Sequence, residues 1–264
     1  VEKGKSAFAG PEIRGKKLGV IGLGAIGALV ANSAAALGME VIGYDPFLSV
    51  KAALSLSPSV KFTDNLRDIF ASCDYITVHV PLLDSTKNMI NKEALSSMKD
   101  GVRIMNFSRG GLVNDDDLLE AIEGGKVACY VTDFPSGKLI GKEGIVAIPH
   151  LGASTPESEE NCAVMAADEI SDYLENGNIT HSVNLPDLSA ARSTDCRVCV
   201  IHKNLPDSLA NISAALSGAG VSVAALLSKS RKDLAYTVAD VDSNSADFAS
   251  LLGGIEGVIK VRVI

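Results

Sequence analysis

A strand-like run that leads into three closely spaced glycines constrains this chain more than any other feature. Residues 17–27 read KLGVIGLGAIG, with glycines at Gly22, Gly24 and Gly27. In a turn from a strand into a helix, the first glycine allows the tight bend and the second lets a pyrophosphate approach the backbone. An Ala-rich helix that ends at Gly38 follows the glycines. The pattern predicts the first βα unit of a dinucleotide-binding fold.

A second strand, at residues 40–44, leads into Asp45, eighteen residues after Gly27. An acid at this place can accept hydrogen bonds from the 2′- and 3′-hydroxyls of a ribose, and it would repel a 2′-phosphate. The alternative is a plain tight turn, because glycine triplets arise by chance. The strand, the helix and the terminal acid together favour an NAD site over that alternative.

Charge and composition exclude several classes of protein. The formal net charge is −8 and the sequence pI is near 5.0, so the chain lacks the basic surface that nucleic acid or an anionic membrane requires. We find no apolar run long enough to span a bilayer. The five cysteines are scattered and follow no secretory signal, which favours a reducing, cytoplasmic setting.

The pattern after Asp45 keeps alternating between strands and helices, which predicts a Rossmann-type doubly wound α/β sheet. The predicted strands lie at 75–80, 102–107, 126–132 and 145–148, and the predicted helices at 65–71, 91–98, 115–123 and 156–176. Asn114 and Thr155 are expected as N-caps. Polar groups follow the carboxyl ends of the strands, where open α/β sheets bind ligands.

The rhythm changes near residue 182, where proline, aspartate and small polar residues cluster. We therefore predict a first domain over 1–184, a linker over 185–194 and a second domain over 195–264. The second domain shows the order βαββαβ of a ferredoxin-like fold. Its predicted elements lie at 197–202, 206–217, 221–228, 234–242, 245–252 and 258–264.

Cys196 and Cys199 form a CxxC pair inside the first predicted strand of this domain. Side chains three positions apart in a strand point to opposite faces, so neither metal binding nor redox pairing is expected. We predict no metal site in the chain.

Two side chains are the strongest candidates for chemistry. Arg109 follows a strand and is flanked by a serine and two glycines, and an arginine there can hold a carboxylate through two hydrogen bonds. His150 follows the strand at 145–148, and a histidine near a nicotinamide can move a proton at neutral pH. The alternative for His150 is a purely structural histidine.

Six ordered motifs together resemble the D-2-hydroxyacid dehydrogenase family. They are GLGAIG, VIGYDP, HVPL at 79–82, NFSRGG at 106–111, VTDF at 131–134 and PHLGAST at 149–155. The βαββαβ tail resembles an ACT domain, which makes the likeness strongest to the phosphoglycerate dehydrogenase branch. The resemblance implies oxidation of 3-phospho-D-glycerate to 3-phosphohydroxypyruvate, the first step of L-serine biosynthesis. Another 2-hydroxy acid is the alternative substrate.

The resemblance also implies roles for single residues. Arg109 would bind the substrate carboxylate, His150 would take the hydroxyl proton as hydride passes to NAD, Asp45 would hold the adenosine ribose and Asp133 would meet the nicotinamide amide. The remaining residues of the implied cofactor site are Gly22, Gly24, Ala25, Ile26, Gly27, Val80, Thr86, Phe107, Ser108, Gly152 and Ala153.

The sequence departs from the family in the loop after VTDF. A glutamate there usually pairs with the histidine and orients it, whereas this chain has a shorter loop with Lys138 at the corresponding position. Either Glu143 folds back towards His150 or the histidine acts without its usual glutamate. The second alternative supports a rival function, a non-catalytic NAD-responsive binding protein.

A second departure concerns the substrate domain. In the family its first part precedes the cofactor domain and supplies basic groups for the substrate phosphate, and we expect only the last part in this chain. We therefore expect this chain alone to bind NAD and to turn over little substrate.

The ACT-like tail raises two further expectations. His202 and Asn204 match the family's loop for an L-serine effector, while Asp207 and Ser222 depart from it. The alternative is a tail used only for contacts between subunits. A homo-oligomer, dimer or tetramer, is expected because ACT sheets commonly pair edge to edge and the cofactor domains of the family dimerise.

Overall fold

The structure, a computed structural model, describes residues 9–242 and 247–264. The chain divides into two compact units, Val1–Gly152 and Ala153–Ile264. This division lies earlier in the chain than the linker predicted at 185–194. Within the described residues, no helix combines the length and apolar content needed to cross a bilayer.

The first unit is built on a seven-stranded parallel sheet, as predicted for a doubly wound fold. Its strand order is β3-β2-β1-β4-β5-β6-β7. The strands are β1 Lys17–Ile21, β2 Glu40–Tyr44, β3 Lys61–Thr63, β4 Tyr75–Val78, β5 Val102–Asn106, β6 Val127–Thr132 and β7 Ile145–Ala147. Because all seven strands are parallel, the loops that follow them emerge at one edge of the sheet.

Helices cover both faces of this sheet. They are α1 Ala25–Ala36, α2 Val50–Leu54, α3 Leu66–Ser72, α4 Lys92–Ser97 and α5 Asp115–Glu123. Along β1, Leu18 and Val20 pack with α1, while Ile21 belongs to the core on the opposite face. Burial on both faces explains why the central strands are continuously apolar.

Side-chain caps set the starts of several helices. Asn65, Asn91 and Asn114 each accept a hydrogen bond from a backbone N–H in the first turn of α3, α4 and α5. Asn114 was predicted in this role, and α5 has the predicted bounds. Sequence reasoning missed α2 and β3, which are only five and three residues long.

The second unit contains a four-stranded antiparallel sheet of order β11-β8-β10-β9, which confirms the ferredoxin-like arrangement. Its elements are α6 Pro156–Asn176, β8 Cys196–Lys203, α7 Ser208–Gly218, β9 Val223–Arg231, β10 Leu234–Val241, α8 Phe248–Gly253 and β11 Val258–Val263. The predicted start of the last helix, Ser245, lies outside the described residues.

The CxxC cysteines point to opposite faces of this sheet, as predicted for positions three apart in a strand. Cys196 packs among the apolar residues of α7 and α8, and Cys199 packs on the other face with Ile179, Leu188 and Tyr236. All five cysteines are free.

A buried ion pair joins the central strands β8 and β10 to the segment before them. Arg197 and Asp240 are 0% and 1% exposed, with Nε and Nη2 of the arginine 2.6 and 3.0 Å from the two carboxylate oxygens. The guanidinium also donates to the carbonyls of Asn176, Ala190 and Ala191. All five of its N–H groups are thus used.

These bonds explain why α6 and residues 177–194 belong to the second unit. The stretch 185–194 that was predicted as a linker supplies two carbonyl acceptors to Arg197, and Ser193 donates to Asp240 through both its N–H and its hydroxyl. Leu188 pairs with Ile179 in an isolated bridge against the sheet.

Gly177 fits closely between the end of α6 and the sheet. It ends the helix with φ of 70°, and its carbonyl accepts a hydrogen bond of 2.7 Å from the Tyr236 hydroxyl. A Cβ at this position would lie 2.5 Å from Cys199 Sγ. Both the backbone conformation and the space therefore require glycine.

We expect Gly177→Ala to lower the free energy of unfolding by about 3 kcal/mol, the sum of the left-handed backbone penalty and the overpacking. Gly220→Ala is the matched control, because Gly220 has φ of 73° with no atom near its missing Cβ. It should cost only about 1–2 kcal/mol. Urea unfolding followed by circular dichroism measures both, and equal losses would contradict the packing argument.

The ion pair predicts a dependence of stability on pH. Burial alone would raise the pKa of Asp240, but the hydrogen bonds from Arg197 and Ser193 outweigh it and lower the pKa from 3.8 to about 2. A lowered folded-state pKa stabilises the fold above the unfolded pKa, and this contribution is lost as the pH falls from about 4 to 2.

Wild type should therefore lose about 2 kcal/mol of stability over that window, and Asp240→Asn should not show this loss. The variant should already be less stable by about 3–5 kcal/mol at pH 7, because it leaves Arg197 buried without its counter-charge. Urea unfolding at stepped pH values measures both effects, with the exposed Asp195→Asn as control. An identical acid branch in wild type and Asp240→Asn would refute the prediction.

Candidate active site

The glycine turn packs the first helix directly against the first strand. Gly22 has φ of 93°, and a Cβ there would lie 2.5 Å from the carbonyl oxygen of His79. A Cβ on Gly27 would lie 1.9 Å from the carbonyl oxygen of Gly22. The first and third glycines are therefore required by the fold itself.

Gly24 differs, because a Cβ built on it would meet no atom within 4 Å. It precedes α1 as the N-cap residue without a side-chain cap, so the first N–H groups of the helix, at Ala25 and Ile26, lack that partner. Gly24 and Ala25 line a cleft of about 410 Å³. Open space beside the amino end of a twelve-residue helix suits a pyrophosphate.

Asp45 lies beside this turn at the end of β2. Its carboxylate accepts hydrogen bonds from the N–H groups of Leu23, at 2.9 Å, and Phe47, at 2.8 Å. Each bond goes to a different oxygen, and each oxygen keeps capacity for a ribose hydroxyl. The structure thus brings the predicted ribose acid to the glycine turn.

Val80 and Thr86 lie in the loop after β4. Val80 packs against the turn, with its Cγ1 2.9 Å from the place of a Cβ on Gly22. The Thr86 hydroxyl donates to the Pro81 carbonyl at 2.6 Å and accepts from the Leu83 N–H at 2.8 Å. The Thr86 side chain therefore stabilises the turn at residues 81–86 through these two hydrogen bonds.

Asn106 shapes the loop that carries Phe107, Ser108 and Arg109. It is 1% exposed, donates to the Arg109 carbonyl at 2.9 Å and accepts from the Ser108 N–H at 3.1 Å. The Ser108 hydroxyl bonds to the Val78 carbonyl. Asn106 was not predicted as a functional residue, although asparagine before a turn commonly bonds the backbone two residues on.

His150 has a carboxylate partner, and it is Asp133. Its Nδ1 lies 2.7 Å from Asp133 Oδ2, with the carboxylate 8% exposed and the imidazole 47% exposed. Of the two alternatives drawn from the sequence, a returning Glu143 was wrong; the histidine does act without the family's glutamate, but Asp133 lies in its place. Asp133 follows β6 and His150 follows β7, and these two strands are neighbours, so the sheet brings the two residues together.

The two residues considered at the position of the family's missing glutamate, Lys138 and Glu143, lie elsewhere in the first unit. Lys138 pairs with Asp116 on α5, with its Nζ 2.7 Å from a carboxylate oxygen. Glu143 lines a cleft with Leu119 and Ile122 of the same helix.

Phe134 lies between the two catalytic candidates. Its ring centroid is 4.4 Å from that of His150, and the Arg109 guanidinium carbon lies 5.8 Å from the ring centre. Phe134 belongs to the VTDF motif but was not predicted as a site residue. The structure therefore gathers Arg109, Phe134, Asp133 and His150 at the edge where β5, β6 and β7 end.

The last two predicted cofactor residues fall at the boundary between the units. Gly152 has φ of 41° and ends the first unit, while Ala153 begins the second.

The two effector candidates lie in the second unit. His202 is 2% exposed, and its ring nitrogens are each 2.8 Å from a partner, the Lys203 carbonyl and the Thr237 hydroxyl. Asn204 donates to the Lys232 carbonyl at 3.2 Å. The His202 ring is thus engaged inside the sheet, which sequence position alone did not indicate.

We expect Gly24→Ala to weaken NAD binding at least tenfold, about 1.4 kcal/mol, because the methyl group fills space the pyrophosphate needs. The fold should be unaffected, since the methyl group meets no protein atom. Calorimetric titration with NAD and urea unfolding measure the two effects. Gly253→Ala, which also meets open space, is the control, and unchanged affinity in Gly24→Ala would exclude this phosphate path.

Comparison with known proteins agrees with this geometry. Residues 2–152 match the family model described as "D-isomer specific 2-hydroxyacid dehydrogenase, NAD binding domain". A D-3-phosphoglycerate dehydrogenase of Haemophilus influenzae is 33% identical over 98% of this chain and 65% of its own length. One from Archaeoglobus fulgidus is 39% identical over 71% of this chain and 37% of its own length.

The chain thus spans less than two thirds of the length of these relatives. Among solved structures, the NAD complex of a D-isomer specific 2-hydroxyacid dehydrogenase from Lactobacillus delbrueckii is 27% identical, with a TM-score of 0.61 over 68% of this chain and 59% of the other. The chain belongs to the D-isomer specific 2-hydroxyacid dehydrogenase family, and its first unit is the NAD-binding domain.

Proposed function

We propose that this chain carries the cofactor-binding and proton-transfer residues of an NAD-dependent dehydrogenase that oxidises 3-phospho-D-glycerate. The observation that carries the proposal is the grouping of Arg109 and His150 around the Phe134 ring. They lie at the sheet edge that also holds the glycine turn and Asp45. The names of the relatives support this substrate over other 2-hydroxy acids.

The cofactor fits the residues present. Gly24 leaves open space at the amino end of α1, and Asp45 presents a carboxylate beside the turn. The buried Oδ1 of Asp133 has no hydrogen-bond partner among the described residues, so it can accept from an amide such as that of nicotinamide. When bound, NAD supplies the ring that accepts the hydride.

Arg109 and His150 have complementary roles in the proposed reaction. Arg109 holds the substrate carboxylate in a charge-assisted pair and draws electron density from the neighbouring carbon. His150 accepts the hydroxyl proton at Nε2 while the hydride leaves the carbon that bears this hydroxyl. In the reverse direction His150 returns this proton.

The pairing of His150 with Asp133 bears on the rival function, a non-catalytic NAD-responsive protein. That rival drew its support from the missing glutamate, and a different carboxylate, that of Asp133, lies 2.7 Å from His150 Nδ1. The site therefore supports catalysis better than binding alone.

For the second unit, L-serine binding and assembly into a homo-oligomer stay proposals. The sheet order is compatible with an ACT-like regulatory domain. Because both ring nitrogens of His202 bond within the sheet, an effector would contact the exposed Asn204 loop rather than that ring.

His150→Gln should lower kcat for 3-phosphoglycerate roughly 10²- to 10⁴-fold, because glutamine cannot accept the proton. NAD affinity should stay within about twofold, since the change removes no cofactor contact of the proposal. The measurement is NAD reduction by the intact gene product, with 3-phosphoglycerate and other 2-hydroxy acids compared. Reduction by no hydroxy acid, or wild-type kcat in His150→Gln, would refute the proposal.

A further inference from the structure

We propose that Asp133 is the positioning residue for His150, in the role that a glutamate of the following loop fills elsewhere in the family. This inference rests on the proposed function of His150 as the proton acceptor. It assigns the orienting carboxylate to the residue directly after a strand instead of to the loop beyond it.

The sheet itself sets the distance between the two side chains. Strands β6 and β7 are hydrogen-bonded neighbours, with Thr132 opposite Ala147. Asp133 follows directly after β6, and His150 comes three residues after β7 ends. A carboxylate directly next to paired backbone is held more rigidly than one farther along a surface loop.

The pairing defines which ring nitrogen carries the proton. An ionised carboxylate only accepts hydrogen bonds, so Nδ1 of His150 must donate to Asp133. The neutral ring then has its lone pair on Nε2. This is the tautomer that accepts a proton from a substrate hydroxyl.

Nε2 belongs to a half-exposed ring. The imidazole is 47% exposed while the Asp133 side chain is 8% exposed, so the ring is held from its inner edge. No described residue hydrogen-bonds Nε2. A substrate hydroxyl can therefore reach it.

Phe134 restricts the ring further. It packs against the face of the imidazole at 4.4 Å, with the two planes inclined by 41°. Its own backbone is fixed, because its N–H donates at 3.0 Å to the hydroxyl of the buried Thr132. Asp133 therefore bonds the edge of the His150 ring, and the next residue, Phe134, packs against its face.

The second oxygen of Asp133 indicates that the carboxylate is kept for function. Oδ1 is buried and has no partner among the described residues. A buried polar atom left unpaired destabilises a fold. Replacing Asp133 should therefore impair the positioning of the His150 ring without lowering the free energy of unfolding. If the ion pair were purely structural, the replacement would lower that free energy.

The test uses imidazole ¹⁵N NMR of the chain labelled at its four histidines. In wild type we expect a protonated Nδ1 and an unprotonated Nε2 for His150, assigned by loss of the signals in His150→Gln. Asp133→Leu should remove the Nδ1–H signature, and Asp133→Asn, whose amide oxygen can still accept, should retain part of it. His202, whose Nδ1 faces a carbonyl, is an internal control that should not change.

Asp116→Asn is the matched control variant, because it removes a carboxylate of the same unit that pairs with Lys138 and not with His150. It should leave the His150 signals as in wild type. In the intact gene product, Asp133→Asn should lower kcat about 10²-fold or more by analogy with other orienting carboxylates. Urea unfolding should show no loss of stability in either Asp133 variant.

Unchanged His150 signals in both Asp133 variants would overturn the inference, and so would a loss in kcat that tracks a loss in stability. The NMR result does not depend on turnover. If the Nδ1–H signature follows Asp133 while the gene product reduces NAD with no hydroxy acid, positioning stands and the proposed function fails.

Discussion

The close approach of α1 to β1 is the contact on which the first unit depends. A Cβ at Gly27 would come within 1.9 Å of the Gly22 carbonyl, so no other residue allows the helix to begin where it does. This contact places the amino end of α1 beside the end of β1, and the parallel sheet places every other functional loop at the same edge. Asp45, Val80, Arg109, Asp133 and His150 reach that edge from five different strands.

The second unit depends on a polar contact. Arg197 is fully buried, and its five N–H groups all find acceptors, two on Asp240 and three on backbone carbonyls from residues 176, 190 and 191. An unpaired guanidinium in this position would cost several kcal/mol, so the chain before β8 must close over the sheet for the unit to fold. The apolar cluster around Tyr236 and Leu188 lies on the same face and reinforces this closure.

Local signals in the sequence predicted much of the fold. The bounds of β2, α5 and α6 agree with prediction because caps and glycines mark their ends. The short β3 was missed because its pairing with β2, and not its own residues, makes it a strand. The segment 185–194 reads as a linker because it is polar and contains proline, whereas its structural role comes from carbonyls that bond Arg197. Backbone acceptors leave no pattern in a sequence.

A similar limit explains why the carboxylate partner of His150 was not predicted from the sequence. Arg109 and His150 were predicted from their residue types and their places after strands, and Asp133 was expected only near the cofactor. The missing carboxylate was sought at the family's position in the loop, where Lys138 stands and pairs with Asp116. An imidazole needs an acceptor at Nδ1 in the right direction, whatever its place in the sequence. In a parallel sheet, neighbouring strands end side by side, so the residue that follows β6 can lie beside a residue that follows β7. A short loop without its glutamate is therefore compatible with the same proton chemistry, provided that the last residue before it is an acid.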